Sequence, residues 1–344
     1  MKKLNLGFIY NVRHTAPDLN NPQYLLEAEF DTPETIAGIT GALESLGHTV
    51  YPVEADEDAY PKLKELKGKV DLVFNVAEGI RGADREAQLP AMMEMLGLPY
   101  TGPPPIGYAL GLNKAVAKEI LAYYHILTPR WRTVSRLEEL EQKQFDFMPV
   151  IAKPLSEGSS KGIQAKNLVH NLADLKTITA ELLAAYHQPV LLEEYLPGRE
   201  FTVGVIGTPP EVLPIIEVSF DALPPEMPKF DHFEAKWVYD NPATEADPLV
   251  CPAVLSPELE GQIKNLCLQA FDVLEMADWA RFDVRLDKNN LPHILEVNCP
   301  PGIIPDPKEN SRFPRAARTA GYSFPQMLEK ILLSACQRYS LPLK

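Results

Sequence analysis

Apolar and polar positions alternate in two rhythms over the first hundred residues. Residues 4–10 form a short apolar run of strand character. From Thr32 the period lengthens to that of a helix, with Ile36, Ile39, Leu43 and Leu46 on one face. Thr32 stands as the N-cap, Pro33 fits the first helical position, Glu34 lies in the first turn, and Gly47 ends the helix. Residues 50–53 and 70–76 read as two more strands, and 91–96 as the end of a helix stopped by Gly97. A βαβαβ order implies a parallel sheet covered by helices, whose ligands sit at the carboxyl ends of the strands. Loops 11–31 and 77–88 leave those ends and are where substrate contacts are expected.

The pattern changes around Pro103–Pro105, which suggests a boundary. Beyond it, 113–124 predicts a helix, 150–153 a strand, 156–162 a Gly/Ser loop, 172–186 a polar helix and 190–194 another strand. The last part is rich in strands, at 201–206, 213–217, 281–286 and 293–297, with helices near 257–274 and 323–338. Residues 223–252 are Pro-rich and too long for a plain connector, so they are expected to be a lid, a binding loop or disordered. No internal repeat is visible.

Composition narrows the function classes. The chain has 344 residues and a net charge of -14, which argues against a general nucleic-acid binder but leaves room for a local basic pocket. Its 33 prolines are spread out rather than repeated, which excludes a collagen-like chain and proline-rich disorder. Cys251, Cys267, Cys299 and Cys336 show neither a CxxC pair nor zinc spacing, as expected in a reducing cytosol. The first apolar run is too short for a signal peptide or a membrane span. A cytoplasmic protein is therefore expected.

Three constellations carry candidate chemistry. Lys153 leaves a strand and is followed by Glu157-Gly158-Ser159-Ser160-Lys161-Gly162. Backbone N–H groups of such a loop can cradle phosphates, although a surface turn reads the same way. It is no Walker A motif, because the lysine precedes the glycines. Glu296 and Asn298 point to one face of a strand, and Asp283 lies on the strand before it. Two carboxylates and an amide oxygen suit Mg²⁺, while a polar outer face of a hairpin is the alternative. Glu193 and Glu194 end a strand where they could meet a base and a ribose, or simply be solvated.

Taken in order, these pieces resemble the D-alanine–D-alanine ligase family of the ATP-grasp superfamily. The similarity runs through Gly97-Leu-Pro-Tyr-Thr-Gly102, Val150-Ile-Ala-Lys-Pro with Glu157-Gly-Ser-Ser, Glu234-Ala-Lys-Trp, Cys251-Pro-Ala, Arg281-Phe-Asp-Val, Glu296-Val-Asn and Pro314-Arg-Ala-Ala-Arg. It implies an α/β fold that is α+β in its ATP-binding part. Residues 1–110 would form a Rossmann-like N-terminal domain, 111–198 a central ATP-grasp subdomain, and 199–344 a C-terminal one carrying the metal and oxyanion residues.

The same resemblance implies an ATP-dependent ligase that joins an amine to a carboxylate through an acyl phosphate. Lys114 and Lys153 would hold ATP phosphates; Glu193, Tyr195 and Leu196 would line the adenine pocket, and Glu200 would meet the ribose. Lys236 would belong to the loop that closes over ATP. Asp283, Glu296 and Asn298 would bind Mg²⁺, for two ions, with Mn²⁺ as an alternative. Arg281 and the Gly302 N–H would face the oxyanion, and Ser159 the first substrate. The partners would be amino acids or amino-acid-like molecules, and a homodimer through the first domain is one assembly the family allows.

Departures fall on the substrate side. Where the family has a histidine-glycine loop, this chain reads Glu78-Gly79-Ile80-Arg81-Gly82-Ala83-Asp84-Arg85-Glu86. Glu27 and Glu29 are the candidates for the first-substrate amine. Trp237 replaces a tyrosine, and Ser311-Arg312 replaces a serine-leucine pair. At least one substrate is therefore expected to differ from D-alanine, with Arg81, Arg85 and Arg312 anchoring extra carboxylates or else pairing with nearby acids. A true D-alanine–D-alanine ligase and a nucleotide-binding protein without ligase activity are the competing readings.

Overall fold

The computed structural model describes residues 3–16, 27, 29–142, 146–232, 234–235 and 247–342. Strands β1 (Asn5–Tyr10), β2 (Thr49–Glu54) and β3 (Leu72–Asn75) pair in parallel in the order β2-β1-β3. Parallel neighbours need long crossovers, and α1 (Pro33–Ser45) and α2 (Ala59–Leu66) supply them. The Thr32 hydroxyl accepts from the Thr35 N–H at 3.2 Å, so the expected cap forms. The sequence reading missed α2. It buries only Ala59, Leu63 and Leu66, too few positions for a period to stand out. Next come α3 (Arg85–Leu96), ended by a left-handed Gly97, then α4 (Pro105–Leu112) and α5 (Lys114–Tyr123). The proline cluster that looked like a boundary opens α4, because Pro105 fits a first helical turn.

A second sheet is antiparallel. It contains β4 (Trp131–Val134), β5 (Val150–Pro154), β6 (Leu168–Val169) and β7 (Val190–Glu194), in the order β4-β7-β5-β6. The short α6 (Glu139–Gln142) follows β4, and α7 (Leu172–Tyr186) joins β6 to β7. Val150, Ala152, Val190 and Leu192 pack against Leu175, Ile178 and Leu182 of α7. Side chains alternate along a strand, so Ile151, Lys153 and Glu193 take the opposite face.

The third sheet holds β8 (Glu200–Ile206), β9 (Glu211–Val212), β10 (Ile216–Val218), β11 (Leu249–Val250), β12 (Trp279–Leu286) and β13 (Pro292–Asn298). Its order is β11-β10-β8-β12-β13, with β9 added on β8. The strand expected at 213–217 begins only at Ile216, because Pro214 cannot donate to a ladder. One face packs on α8 (Pro257–Val273) through Ile263, Cys267 and Ala270. Helices α9 (Arg312–Thr319) and α10 (Phe324–Arg338) close the chain. Met327, Leu328, Ile331 and Leu332 of α10 share one core with Leu6, Phe8, Phe74, Trp279 and Phe313, so the last helix seals the first sheet. Buried Asp278 pins this junction, accepting from Gly102 N at 2.9 Å, Ser334 Oγ at 2.9 Å and Arg338 at 2.7 Å. Among the described residues, no helix is long and apolar enough to cross a membrane.

Candidate active site

The polar faces of the second and third sheets look at each other across a pocket lined by Ile151, Lys153, Glu193, Leu196, Glu200, Asp283, Arg285 and Leu295. At its floor, Glu193 is clasped between two buried lysines. Lys153 Nζ donates to Glu193 Oε2 at 2.7 Å, and Lys118 pairs with Oε1. Burial alone would raise the Glu193 carboxyl, but both lysines hold it down to about 2. Burial lowers Lys118 to about 8. Two ammonium groups share one carboxylate, so the triad keeps a positive charge that its own partners do not cancel. That excess sits beside the Gly/Ser loop, whose Ser159 and Ser160 adopt left-handed φ of 51° and 58°. A Cβ at Gly158 would lie 2.6 Å from Glu29 Oε1, which accepts from the Gly158 N–H at 2.9 Å, so a side chain there would have to displace that carboxylate.

Farther along the pocket, Arg285 Nη1 donates to Glu200 Oε2 at 2.5 Å, and Nη2 reaches Tyr195 Oη at 3.1 Å and the Lys229 carbonyl. Burial pushes Glu200 up to about 7 despite this arginine, with Asp231 and Asp283 adding to the rise. Residues 229–232 thus hang over the pocket, and the Phe230 ring meets Tyr195 edge-on at 6.4 Å. Lys236 and Trp237 lie outside the described residues.

The strand pair β12/β13 carries the second group. Asp283 faces Glu296, and Arg281 faces Asn298. The register slips after Asp283, leaving Leu295 without a partner, so Leu295 and Glu296 both turn toward the pocket. Asn298 Nδ2 donates to Asp283 Oδ2 at 3.0 Å, while buried Asp283 Oδ1 has no hydrogen-bond partner. Burial opposes ionisation of Asp283, but Arg281 and Arg312 hold it below its ordinary range. Arg281 Nη2 reaches the same carboxylate at 3.4 Å, and its buried Nε has no acceptor. Glu296 also borders a larger cleft of about 840 Å³, lined by Lys114, Ser159, Arg281, Asn298, Gly302, Ser311 and Arg312. Lys114 Nζ donates to the Glu157 carbonyl at 2.5 Å and lies 3.5 Å from Glu296.

This architecture has known counterparts. The family described as D-ala D-ala ligase C-terminus matches residues 112–333. A chain from Sinorhizobium fredii named uncharacterized protein y4sG is 34% identical over 309 residues, covering 88% of this chain and 87% of that one. A D-alanine–D-alanine ligase of Mannheimia succiniciproducens is 33% identical over 298 residues, covering 85% and 88%. The chain belongs to the D-alanine–D-alanine ligase family. It is an ATP-dependent ligase that forms an amide bond. Its ATP-grasp fold matches the crystal structure of D-alanine–D-alanine ligase from Bacillus anthracis with a TM-score of 0.71, at 20% identity over 98% of this chain and 99% of that one.

In this ligase the structure sorts the substrate-side candidates. Glu78 and Glu86 border the cleft. Arg81 is exposed and pairs with Glu57 at 3.2 Å, away from the cleft. Arg85 is buried at the start of α3, but its guanidinium is spent on Glu29 at 2.8 Å and the Ser156 carbonyl at 3.0 Å. Neither arginine is placed to anchor a substrate carboxylate. Glu27 caps the loop before it, accepting from the His14 and Thr15 N–H groups at 2.9 Å each. Glu29 borders the cleft but is held by Arg85 and by Lys161 at 3.2 Å. Ser311 Oγ shapes its own loop, accepting from Ile304 N at 3.0 Å and donating to the Gly302 carbonyl at 3.3 Å.

Arg312 reaches the cleft wall, where its Nη1 donates to Asp231 at 2.8 Å. Burial works against its charge, yet Asp231, Asp283 and Glu200 keep it firmly protonated. The pairing option for this residue is the one the fold uses. Arg312→Ala and Asp231→Asn are each expected to destabilise the protein, with a coupling of roughly 1–3 kcal/mol in a double-mutant cycle by urea denaturation. Additive losses would show that the contact carries no energy.

Two residues of the pocket escaped the sequence reading. Lys118 stands four residues after Lys114, and a lysine pair at that spacing shares a helix face, which was the available signal. Arg285 follows Arg281 and Asp283 at strand period, so all three had to share one face.

Proposed function

We propose that this ligase joins two amino acids or amino-acid-like substrates, at least one of them other than D-alanine. The substrate reading rests on the departures at residues 78–86 and 311–312. The observation that carries the ligase chemistry is that the pocket with the Lys118–Glu193–Lys153 triad and the 840 Å³ cleft meet at Glu296. A nucleotide in the first would present its terminal phosphate to a carboxylate in the second. Lys114 and Lys153 would bind phosphates beside the Gly158–Ser160 backbone, Glu193, Tyr195 and Leu196 would border the base, and Glu200 would take the ribose.

Asp283, Glu296 and Asn298 suit Mg²⁺, or Mn²⁺ with its similar oxygen preference, because they bring two carboxylates and an amide oxygen together and buried Asp283 Oδ1 makes no hydrogen bond within 3.5 Å. When bound, such an ion neutralises charge on phosphate oxygens. Among the described residues no three His, Cys, Asp or Glu side chains form a metal cage, so the amide of Asn298 would complete the set. For two ions, the remaining ligands would come from phosphate oxygens and water.

The chain's own residues do the rest. A substrate carboxylate oxygen attacks the γ-phosphorus, ADP leaves, and an acyl phosphate forms. The second substrate's amine attacks its carbonyl, and Arg281 with the Gly302 N–H stabilises the tetrahedral oxyanion. The Gly302 N–H donates to no acceptor among the described residues, which suits that task. Phosphate then leaves, the amine loses its proton, and an amide remains. Residues 229–232 would help keep water from the acyl phosphate.

The test is ADP release against a matrix of D- and L-amino acids, singly and in pairs, with product masses read for each pair. The expected result is release that needs a pair containing a substrate other than D-alanine. Release with D-alanine alone, yielding only its dipeptide, would make this a true D-alanine–D-alanine ligase. Nucleotide binding with no release on any mixture would leave a binding protein.

A further inference from the structure

One carboxyl pair in the cleft is left over by the scheme above. Glu86, in the first turn of α3, is 7% exposed and borders the cleft, as does Glu78 from the loop after β3. The two carboxyl groups are close enough to perturb each other's ionisation. Among the described residues, no ion pair within 4 Å neutralises either one. The nearby cations are committed elsewhere: Arg85 to Glu29 and Ser156, Lys161 to Glu29, and Lys114 to Glu157 and Glu296. Asp31 borders the same end of the cleft, with Arg13 as its nearest compensating charge.

Two neighbouring acids with no ion pair of their own within 4 Å, and only Arg85 and Lys114 acting from further off, cannot both ionise without a large cost, so they share a proton. Burial, with repulsion from Glu86 and Glu29, raises Glu78 well above the usual carboxylate range, and burial with repulsion from Glu29 raises Glu86 to about 8 against the pull of Arg85 and Lys114. An open cleft whose wall carries a buried Glu86 and a half-buried Glu78, neither held in an ion pair among the described residues, is built to receive a positive charge.

The geometry points to Glu78 and Glu86 as a binding site for a substrate ammonium group, a specificity site distinct from the arginine anchors that the sequence suggested. The proposal rests on the ligase reading, because it takes the 840 Å³ cleft as the substrate cleft. Binding would exchange charge for charge. The protonated pair takes up R–NH₃⁺, the shared proton leaves to solvent, and two carboxylates then face one ammonium. The ammonium could be the α-amino group of any amino acid or the side-chain amine of a diamino acid, and the ligands tested separate these sources.

The experiment is calorimetric titration of the Mg²⁺·AMPPNP-loaded protein with D- and L-alanine and D- and L-lysine, in two buffers of different ionisation enthalpy. Wild type and Glu86→Gln are compared, with Glu78→Gln as a second variant. Melting temperature and AMPPNP affinity near those of the wild type establish that each variant is folded. Wild type is expected to release about one proton per ligand bound, and the variants to lose that release together with roughly tenfold or more in affinity. An effect with alanine and lysine alike assigns the α-ammonium, and an effect confined to lysine assigns the side chain. Unchanged affinity in both variants, binding without proton release, or no binding of any of the four amino acids would overturn the proposal. Failure of the ligase reading looks different, since wild type would then bind ligand without ever releasing ADP.

Discussion

Replacing Arg281 by methionine is expected to lower kcat by about 10²–10³ while changing ATP affinity only a few-fold, as loss of an oxyanion donor does in acyl transfer. Methionine keeps the length and the apolar stem but removes every donor. Arg281 reaches Asp283 only at 3.4 Å, and its buried Nε has no acceptor, so the protein does not consume its hydrogen-bonding capacity. Arg281→Lys keeps the charge without the planar fork, and should recover part of the loss. The measurement is single-turnover formation of amide beside steady-state kcat and KM for ATP. A methionine variant with wild-type turnover would show that the oxyanion is held elsewhere.

Glu193→Leu should be the most damaging change to stability. It removes the one carboxylate between Lys118 and Lys153, leaving two buried ammonium groups without a counter-charge, which typically costs about 3–5 kcal/mol. The pH dependence identifies the source. Glu193 is depressed from an ordinary value of 4.5 to about 2, so its contribution is present above 4.5 and lost as pH falls toward 2. Urea denaturation across pH should show this acid limb in the wild type and a shallower one in the variant. Glu200 and Glu86 act with the opposite sign. Raised to about 7 and about 8, they contribute fully below the ordinary glutamate value and lose that contribution as pH rises through those values. An acid limb of equal slope in the variant would place the triad's charge elsewhere.

How much was legible depended on range. The cap at Thr32, the left-handed Gly97 and the strands bearing Asp283 and Glu296 are set by neighbours a few residues away, so their spacing revealed them. The short α2 and the start of β10 were not legible, because one buries three residues and the other is reset by a single proline. The candidate substrate arginines were left between two roles for a different reason. A guanidinium reads the same in sequence whether it faces substrate or a protein carboxylate 56 residues away, as Arg85 faces Glu29.

The sequence by itself determined the alternating strand and helix character of the first hundred residues, the strands that carry Lys153, Asp283 and Glu296, and the family resemblance, because these depend on local period and on motifs in register. Tertiary structure alone decided which charges cancel. It put Lys118 beside Glu193, spent Arg85 on Glu29 and Arg312 on Asp231, and left Glu78 and Glu86 on the cleft wall with no ion pair of their own among the described residues. Coulomb energy and desolvation depend on distances between residues far apart in the chain. Counting charges along the sequence cannot give those distances.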